Sequence, residues 1–318
     1  MDLVSISNLR TYYQTGFGEV KAVDDVSLVL FANEILGVAG ESGCGKSTLS
    51  LSILKLVPPT TKISGNVFYH GNDLIRMSES ELTKIRWKKI SVVYQGAMNA
   101  FNPLRRCRDQ VAEAILIHED CKKATASERA AKLLQTVGID PQSCDKYPHE
   151  LSGGMRQRAM IAMAISCNPE LVIADEPTTA LDVIVQDQIL NLMQDLQRKL
   201  HLSVLFVSHS LLTIGEICNR IAIMYAGKLV ELGDVASIFK NPRHPYTQGL
   251  IASNPKMKTS KEDETEWRSI PGGPPSLIQP PSGCRFHVRC ASSQDQCRKC
   301  EPRMREIESG HYAACYIA

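Results

Sequence analysis

A glycine-rich segment that follows an apolar run carries the clearest chemistry in this sequence. The apolar run is Ile35–Ala39, and the nine residues after it are Gly40-Glu41-Ser42-Gly43-Cys44-Gly45-Lys46-Ser47-Thr48. Glycines in such a segment let backbone N–H groups turn toward phosphate oxygens, and a helix that starts there adds its positive end. The lysine of this pattern binds the β- and γ-phosphates, and the hydroxyl after it binds Mg²⁺. We therefore predict that these residues, called the phosphate loop, bind a nucleotide through Gly40, Ser42, Gly43, Cys44, Gly45, Lys46, Ser47 and Thr48.

Two consecutive acids end a second apolar run. The run Leu171–Ala174 is followed by Asp175 and Glu176, and open α/β sheets bind their ligands at the carboxyl ends of the strands. Asp175 could complete the Mg²⁺ shell, and Glu176 could polarise a water for attack on a γ-phosphate. Taken alone, two acids at a strand end indicate a solvated end more strongly than a catalytic site.

The segment Leu151–Arg158 offers a second place for an anion. It begins Leu-Ser-Gly-Gly and precedes a helical pattern, so a hydroxyl and glycine amides lie at a helix start. An ordinary N-cap explains Ser152, but it does not explain the whole octapeptide. Two segments of this kind, the phosphate loop and Ser152, Gly153 and Gly154, predict a composite binding site.

The rest of the sequence indicates which elements hold these residues. Short apolar runs bounded by glycine and polar turns alternate with helical stretches, as in an α/β domain with a mostly parallel sheet. A hairpin is expected over Ile221–Glu231, with its turn at Ala226 and Gly227. The expected strands are Ile35–Ala39, Ile90–Tyr94, Leu171–Ala174 and Val204–Val207, and the expected helices are Ser47–Leu56, Glu128–Val137, Met155–Ser166 and Val183–Leu200.

Length and composition exclude several classes of protein. The 318 residues leave room for about two domains. A net charge of +2 gives no global field for nucleic acid. The N-terminus lacks the regions of a signal peptide, and no apolar run reaches the length of a membrane span. An odd number of cysteines, 11, argues against a secreted disulfide scaffold and for a reducing compartment.

The order of the motifs resembles the ATPase subunit of ABC transporters over roughly residues 1–240. The segments that carry the resemblance are the phosphate loop, Gln95, Leu151–Arg158, Leu171–Glu176, Ala180–Asp182 and Ser208–His209. It implies a phosphate-loop core with antiparallel β and helical subdomains. It also implies two subunits that sandwich two ATP molecules head to tail, with the phosphate loop of one subunit facing Ser152–Gly154 of the other.

The same resemblance implies roles for single residues. Lys46, Glu176 and His209 would catalyse hydrolysis, with His209 near the γ-phosphate. Gln95 would contact Mg²⁺, together with Ser47 and Asp175, and would also contact a membrane subunit. Asp182 would signal across the dimer. Tyr13 resembles the aromatic residue that stacks on adenine, with Tyr12 as the competing candidate, and either is also compatible with an ordinary strand aromatic. The family usually has aspartate after the histidine, whereas this chain has Ser210, a departure that bears on the hydrogen bonding around His209.

The C-terminal part is similar, more narrowly, to the extension found on the ATPases of oligopeptide/dipeptide importers. This similarity is carried by Asn241–Thr247, Ile270–Gly272 and Gly283–Cys290. Outside the C-terminal part, Tyr94–Pro103 and Met155–Arg158 are similar to the same group of ATPases. Relatives in that group carry di- and oligopeptides, nickel or oligosaccharides. The implied partners are two transmembrane permease subunits, a second ATPase subunit, identical or different, and an extracytoplasmic solute-binding protein, but no nucleic acid. The implied location is peripheral, on the cytoplasmic face of the cell membrane.

Five cysteines fall in the last 35 residues: Cys284, Cys290, Cys297, Cys300 and Cys315. Their thiolates suit Zn²⁺ or an iron–sulfur centre, and their spacing matches neither a pair of zinc knuckles nor a common ferredoxin run. The importer resemblance implies a [4Fe-4S] cluster held by Cys284, Cys290, Cys297 and Cys315. It leaves Cys300 as a free thiol or a substitute ligand. A metal would also stabilise a tail too small to bury much apolar surface.

Composition also suggests where the domains end. Eight of the fourteen residues between Ile270 and Gly283 are proline or glycine, which favours stiff, extended chain. We predict an ABC ATPase domain over 1–252, a linker over 253–283 and a cysteine-rich iron–sulfur tail over 284–318. Two other functions stay open: a soluble ABC ATPase in nucleic-acid or iron–sulfur metabolism, and a non-hydrolysing partner in a heterodimer, although the intact Glu176 argues against the latter.

Overall fold

The computed structural model describes residues 1–96, 100–253 and 270–318. Most of the predicted linker, 253–283, and the middle of Tyr94–Pro103 therefore lie outside the described residues. The strands are β1 Asp2–Thr15, β2 Gly18–Phe31, β3 Ile35–Ala39, β4 Lys62–Tyr69, β5 Asn72–Asp73, β6 Ile90–Val93, β7 Leu171–Asp175, β8 Ser203–Val207, β9 Arg220–Tyr225, β10 Lys228–Asp234, β11 Arg305–Glu308 and β12 His311–Ala313. The helices are α1 Lys46–Ile53, α2 Glu79–Ile85, α3 Cys107–His118, α4 Lys123–Thr136, α5 Gly153–Ala164, α6 Val183–Leu200, α7 Leu211–Ile217, α8 Val235–Lys240, α9 Pro245–Ala252 and α10 Asp295–Lys299, with short 3₁₀ helices at Pro141–Ser143 and Pro148–Glu150.

The elements next to the candidate motifs agree with the sequence analysis. Strand β3 and helix α6 have the predicted bounds, and β6, β7 and β8 differ from theirs by one residue at one end. The predicted hairpin is formed by β9 and β10, and its turn residues Ala226 and Gly227 both have positive φ, 47° and 84°. Positive φ at both turn positions is the geometry that matches the twist of two antiparallel strands.

The described residues form two compact units, and the first comprises residues 1–31, 35–76 and 208–318. One of its sheets is antiparallel, with the strand order β2-β1-β4-β5. Its other strands run in the order β11-β12-β10-β9-β3, in which only the β9–β3 pair is parallel. Because β12 pairs with β10, the cysteine-rich tail extends a sheet that also contains β3, the strand before the phosphate loop.

The second unit comprises residues 32–34 and 77–207. Its strands β6, β7 and β8 are parallel neighbours in the order β8-β7-β6, and every residue in them is buried. Burial on both faces explains why these strands are continuous apolar runs in the sequence. Helix α6 buries Ile189, Leu190, Met193 and Leu196 at helical spacing, as expected for a helix packed on one face.

Among the residues that the structure describes, no helix has both the length and the apolar character needed to cross a bilayer.

Candidate functional site

The phosphate loop leads from β3 into α1 and is pressed against neighbouring backbone. A Cβ on Gly45 would lie 2.0 Å from the carbonyl oxygen of Ala22, and one on Gly40 would lie 2.2 Å from that of Met224. Both glycines also have positive φ, 104° and 151°. Only glycine fits at these positions, so the close approach of backbone explains the glycines that the sequence pattern requires. Gly45 is also the N-cap of α1 and has no side chain that could occupy the N–H groups of the first turn.

Lys46 is buried inside this loop, with 5 % of its surface exposed. Its Nζ donates hydrogen bonds to the carbonyl oxygens of Gly40, at 2.8 Å, and Glu41, at 3.0 Å. The ammonium group is thereby held at the start of α1, where the helix end is also positive. This arrangement can bind the phosphates of a nucleotide.

The variable position of the loop, Cys44, is buried as well. Burial raises the pKa of its thiol, so the residue is a poor nucleophile. The Cys44 carbonyl oxygen accepts a hydrogen bond from the N–H of Gly227 at 2.8 Å, in the β9–β10 turn. Cys44 therefore ties the loop to the hairpin, and any contact of this residue with a nucleotide stays a prediction.

The two candidate aromatics of β1 have different surroundings. The hydroxyl of Tyr13 donates to Oγ1 of Thr48, in α1, at 3.2 Å. The hydroxyl of Tyr12 instead donates to the carboxylate of Asp24, and burial together with that carboxylate raises the pKa of Tyr12. Of the two candidates, Tyr13 is thus the one that contacts the phosphate loop, in agreement with its preference over Tyr12 in the sequence analysis. Stacking on adenine itself stays a prediction.

In the second unit, β7 ends in the two predicted acids. Asp175 is buried, and Glu176, with a positive φ of 47°, follows it. Oε2 of Glu176 accepts hydrogen bonds from Nε2 of Gln95 and from Oγ1 of Thr179, both at 3.0 Å. The structure therefore brings the predicted Gln95 and Glu176 together and adds Thr179, which the sequence analysis missed. These two donors hold the carboxylate in one orientation, as a general base requires.

Ser152 and Asp182 each cap a helix in this unit. Oγ of Ser152 accepts from the N–H of Met155 at 3.2 Å, and Oδ1 of Asp182 accepts from the N–H of Val185 at 3.0 Å. Gly153 begins α5, and both capping side chains belong to exposed residues. The N-cap interpretation of Ser152 is therefore correct. The predicted role of Ser152, Gly153, Gly154 and Asp182 opposite a second subunit stays a prediction.

His209 is exposed and lies just before α7 in the first unit. The next residue, Ser210, is the N-cap of that helix, and its Oγ accepts hydrogen bonds from the N–H and the hydroxyl of Thr213, at 3.3 and 2.9 Å. Serine and aspartate are equally good N-caps. The departure at Ser210 therefore preserves the helix start that follows His209.

Four of the five tail cysteines line one small cavity of about 10 Å³: Cys284, Cys290, Cys297 and Cys315. Cys300 is exposed and is not among the residues that line it. The grouping matches the predicted ligand set, and it could not be derived from the spacing alone. Burial raises the pKa of the Cys284 thiol to about 11, and it raises those of Cys290 and Cys315 as well. In the absence of a cation, the thiols of Cys284, Cys290 and Cys315 are therefore protonated near neutral pH.

The predicted metal centre itself is not shown. Within residues 1–96, 100–253 and 270–318, no three His, Cys, Asp or Glu side chains converge closely enough to hold a metal ion. A single Zn²⁺ needs four ligand atoms within about 2.3 Å of the ion. The described geometry is thus not that of a preformed zinc site.

A buried polar cluster joins the tail to the chain before α9. Glu231, fully buried, accepts hydrogen bonds from Nε2 of His311 at 2.7 Å and from the N–H of His244 at 3.0 Å. Nδ1 of His244 in turn accepts from the N–H of Tyr246 at 3.0 Å and caps α9. Burial lowers the pKa of His244 from 6.5 to about 4. His244 is therefore neutral near pH 7, as an acceptor must be.

This burial predicts a pH dependence of stability. The unfolded chain binds a proton at His244 below pH 6.5, whereas the folded chain resists it down to about pH 4. Neutral His244 therefore makes its full contribution to the free energy of unfolding above pH 6.5. This contribution is lost as the pH falls toward 4, and the total loss is about 3 kcal/mol. His244→Asn keeps an N-cap acceptor without this titration. In urea unfolding between pH 7.5 and 4.5, the free energy of unfolding should fall more steeply in the wild type than in His244→Asn. Parallel pH profiles of the two proteins would contradict the role of His244.

The sequence matches known families along most of its length. Residues 23–179 match the family described as "ABC transporter", and residues 230–297 match "Oligopeptide/dipeptide transporter, C-terminal region". The chain is 42 % identical to the oligopeptide transport ATP-binding protein OppD of Bacillus subtilis, over 99 % of this chain and 88 % of that protein. It is 39 % identical to the OppD protein of Escherichia coli, over 99 % of this chain and 93 % of that protein. These matches confirm the resemblance drawn from the motifs.

Solved structures show the same fold for the larger part of the chain. A dimeric, post-hydrolysis ATP-binding cassette bound to ADP and phosphate covers 73 % of this chain and 98 % of its own, with a TM-score of 0.66 and 29 % identity. A dimeric bacterial ABC transporter cassette matches with the same TM-score and 28 % identity. The predicted ABC-type α/β nucleotide-binding fold is therefore confirmed, and its sheets are antiparallel and mixed.

Proposed function

Because this chain belongs to the ATP-binding subunits of oligopeptide/dipeptide ABC transporters, we propose that its ATP hydrolysis energises the import of peptides. The observation that carries the proposal is the match of 99 % of the chain, C-terminal region included, to proteins named for oligopeptide transport. A match to the C-terminal region of peptide transporters is not expected for an ABC ATPase of nucleic-acid or iron–sulfur metabolism.

We assign the chemical roles as follows. Lys46 binds the β- and γ-phosphates, and Glu176 accepts the proton of the attacking water while Gln95 and Thr179 hold its carboxylate. His209 contacts the γ-phosphate, and Tyr13 stacks on the adenine. The donors expected to hold Mg²⁺ are a hydroxyl, an amide oxygen and a carboxylate, from Ser47, Gln95 and Asp175. These hard oxygen ligands suit that ion, which supplies positive charge to the developing phosphate oxygens.

The active assembly we propose is a head-to-tail dimer of ATPase subunits, identical or different. The exposed Ser152 and Asp182, with Gly153 and Gly154 beside the former, then face the nucleotide held by the partner subunit. The dimeric form of two similar cassettes supports this arrangement. The dimer would bind two transmembrane permease subunits at the cytoplasmic face of the cell membrane and receive peptides through an extracytoplasmic solute-binding protein.

We further propose that Cys284, Cys290, Cys297 and Cys315 hold a [4Fe-4S] cluster. Their convergence on one cavity and the exclusion of Cys300 support this donor set. Four cysteine thiolates are the donor set that a [4Fe-4S] cluster would require, and these four cysteines line the same small cavity. Bound iron would supply the charge that stabilises the thiolates against their raised pKa values.

Replacing Lys46 tests the nucleotide site. We expect Lys46→Ala to weaken ATP binding by roughly 10- to 100-fold, because a buried charge-assisted interaction with phosphate is lost. The affinity is measured by binding of a fluorescent ATP analogue, and ATP hydrolysis is measured by phosphate release. The matched control is Lys132→Ala, whose side chain is 71 % exposed and pairs with Glu128 on the surface of α4. Equal ATP affinity in the Lys46 and Lys132 variants would refute the assignment.

A further inference from the structure

An arginine of the cysteine-rich tail reaches into the phosphate loop. The guanidinium of Arg289 donates to both carboxylate oxygens of Glu41, with Nη1 at 2.7 Å from Oε2 and Nη2 at 2.9 Å from Oε1. The Arg289 side chain is 6 % exposed and that of Glu41 is 26 % exposed. A bidentate, largely buried pair of this kind is geometrically specific and costly to break on one side.

The remaining donors of Arg289 anchor it from other directions. Nε donates to the carbonyl oxygen of Pro271 at 2.8 Å, and Nη1 also donates to the hydroxyl of Tyr225 at 3.3 Å. The hydrogen bonds that Arg289 donates to Glu41 raise the pKa of the arginine further, so Arg289 is always charged. These contacts fix the guanidinium, and it fixes the Glu41 side chain in turn.

The backbone of Glu41 is held as well. Its N–H donates to the hydroxyl of Tyr246 at 2.8 Å, and its carbonyl oxygen accepts from Lys46 at 3.0 Å. Tyr246 and Tyr225 pack against Phe286 of the tail, with ring centroids 5.3 and 5.1 Å away. Glu41 is thus the residue through which the tail, by Arg289 and Phe286, meets the loop that holds Lys46.

The ion pair between Arg289 and Glu41 bears on nucleotide binding through the charge of Glu41. Glu41 places a carboxylate in a loop that is expected to receive the negative phosphates of ATP, and like charges at short range repel. Arg289 neutralises that carboxylate and holds it on the side of the loop that faces the tail. Loss of Arg289 would leave the Glu41 carboxylate without a countercharge and would remove a contact that holds the loop conformation.

We propose that Arg289 is a positioning residue for ATP binding, which acts through Glu41 on the phosphate loop and so makes the ATP affinity depend on the fold of the tail. Arg289 immediately precedes Cys290, one of the cysteines that line the tail cavity. A tail that loses its ordered cysteine site would therefore lose its hold on Glu41. This inference rests on the proposed ATPase function of the same site.

The test compares ATP binding and steady-state hydrolysis in full-length variants. Arg289→Ala is expected to raise the Kd and KM for ATP by about tenfold, within the range typical of coupling between sites, with a much smaller change in kcat. Adding Glu41→Gln to that variant removes the uncompensated charge, so the double variant should recover most of the lost affinity. A purely structural loss would not be rescued by the second substitution. The control is Arg298→Ala, an exposed arginine of α10 in the same tail.

The outcomes separate this inference from the function on which it rests. Failure of the wild type itself to bind ATP would refute the proposed function. Normal ATP binding by the wild type, with unchanged affinity in Arg289→Ala or with equal losses in the single and double variants, would overturn the role of Arg289. If Arg289→Ala does not fold, Arg289→Lys, which keeps the charge without the bidentate geometry, decides by the same comparison. It should lose less affinity than tenfold but measurably more than Arg298→Ala.

Discussion

Glu176→Gln is expected to slow ATP hydrolysis by about 10³-fold while ATP binding is retained, because a neutral amide cannot accept the proton of the attacking water. The substitution preserves the shape of the side chain and an oxygen that can accept from Gln95 and Thr179. The nucleotide should therefore stay bound and unhydrolysed. In the proposed head-to-tail dimer, this variant should accumulate the ATP-bound, sandwiched state.

The other end of β7 offers a matched control. Glu170 lies just before this strand, is partly exposed and pairs with Lys89 at 2.8 Å. Glu170→Gln makes the same chemical change at the opposite end of the strand and should leave turnover within about twofold of the wild type, as expected for a surface ion pair. Turnover is measured as phosphate release with saturating Mg-ATP. Accumulation of the ATP-bound dimer is measured by size-exclusion chromatography with ATP. Unchanged turnover in Glu176→Gln would refute the catalytic role of Glu176.

Cys284→Ser is expected to abolish the iron content of the anaerobically purified protein and to lower its thermal midpoint by roughly 10 °C. Serine is a poor ligand for iron in a cluster, and the free energy of metal binding contributes directly to the stability of the site. The tail shares a compact unit with the phosphate loop and a sheet with β3, the strand before that loop. Its destabilisation should therefore weaken ATP binding too.

Cys300→Ser provides the control for this change, because Cys300 is exposed and lies outside the lining of the cysteine cavity. Iron, acid-labile sulfide and zinc are assayed on the same samples, together with thermal unfolding. We expect wild-type iron and stability in Cys300→Ser. Zinc without iron in the wild type would overturn the cluster, and iron loss in Cys300→Ser would show that the ligand set is wrong.

The phosphate loop and its strand could be predicted because local chemistry dictates them. Gly40 and Gly45 must lack a Cβ where backbone passes within 2.2 Å of that position, and such a requirement is visible in one short stretch of sequence. The buried strands β3, β7 and β8 are apolar runs between polar turns. Helix α6 could be read from its stripe of buried residues at helical spacing.

The contacts of the tail could not be predicted in the same way. Arg289 and Glu41 are 248 positions apart, and neither residue type is unusual where it stands. Strands β11 and β12 are short, and all of β11 is at least partly exposed, so they carry little periodic signal. Thr179 likewise shows its role only once its hydroxyl is seen on the carboxylate of Glu176. Pairings between distant segments depend on the whole fold, and periodicity reports only on local structure.

Peptide uptake is the measurement that tests the central claim most directly. Cells that lack this chain would be complemented with the wild type, with Glu176→Gln or with Glu170→Gln, and the uptake of labelled di- and oligopeptides compared. If ATP hydrolysis by this chain energises peptide import, the wild type and Glu170→Gln restore uptake and Glu176→Gln does not. Equal uptake with Glu176→Gln and the wild type, or no loss of peptide uptake when the chain is absent, would contradict the proposed function.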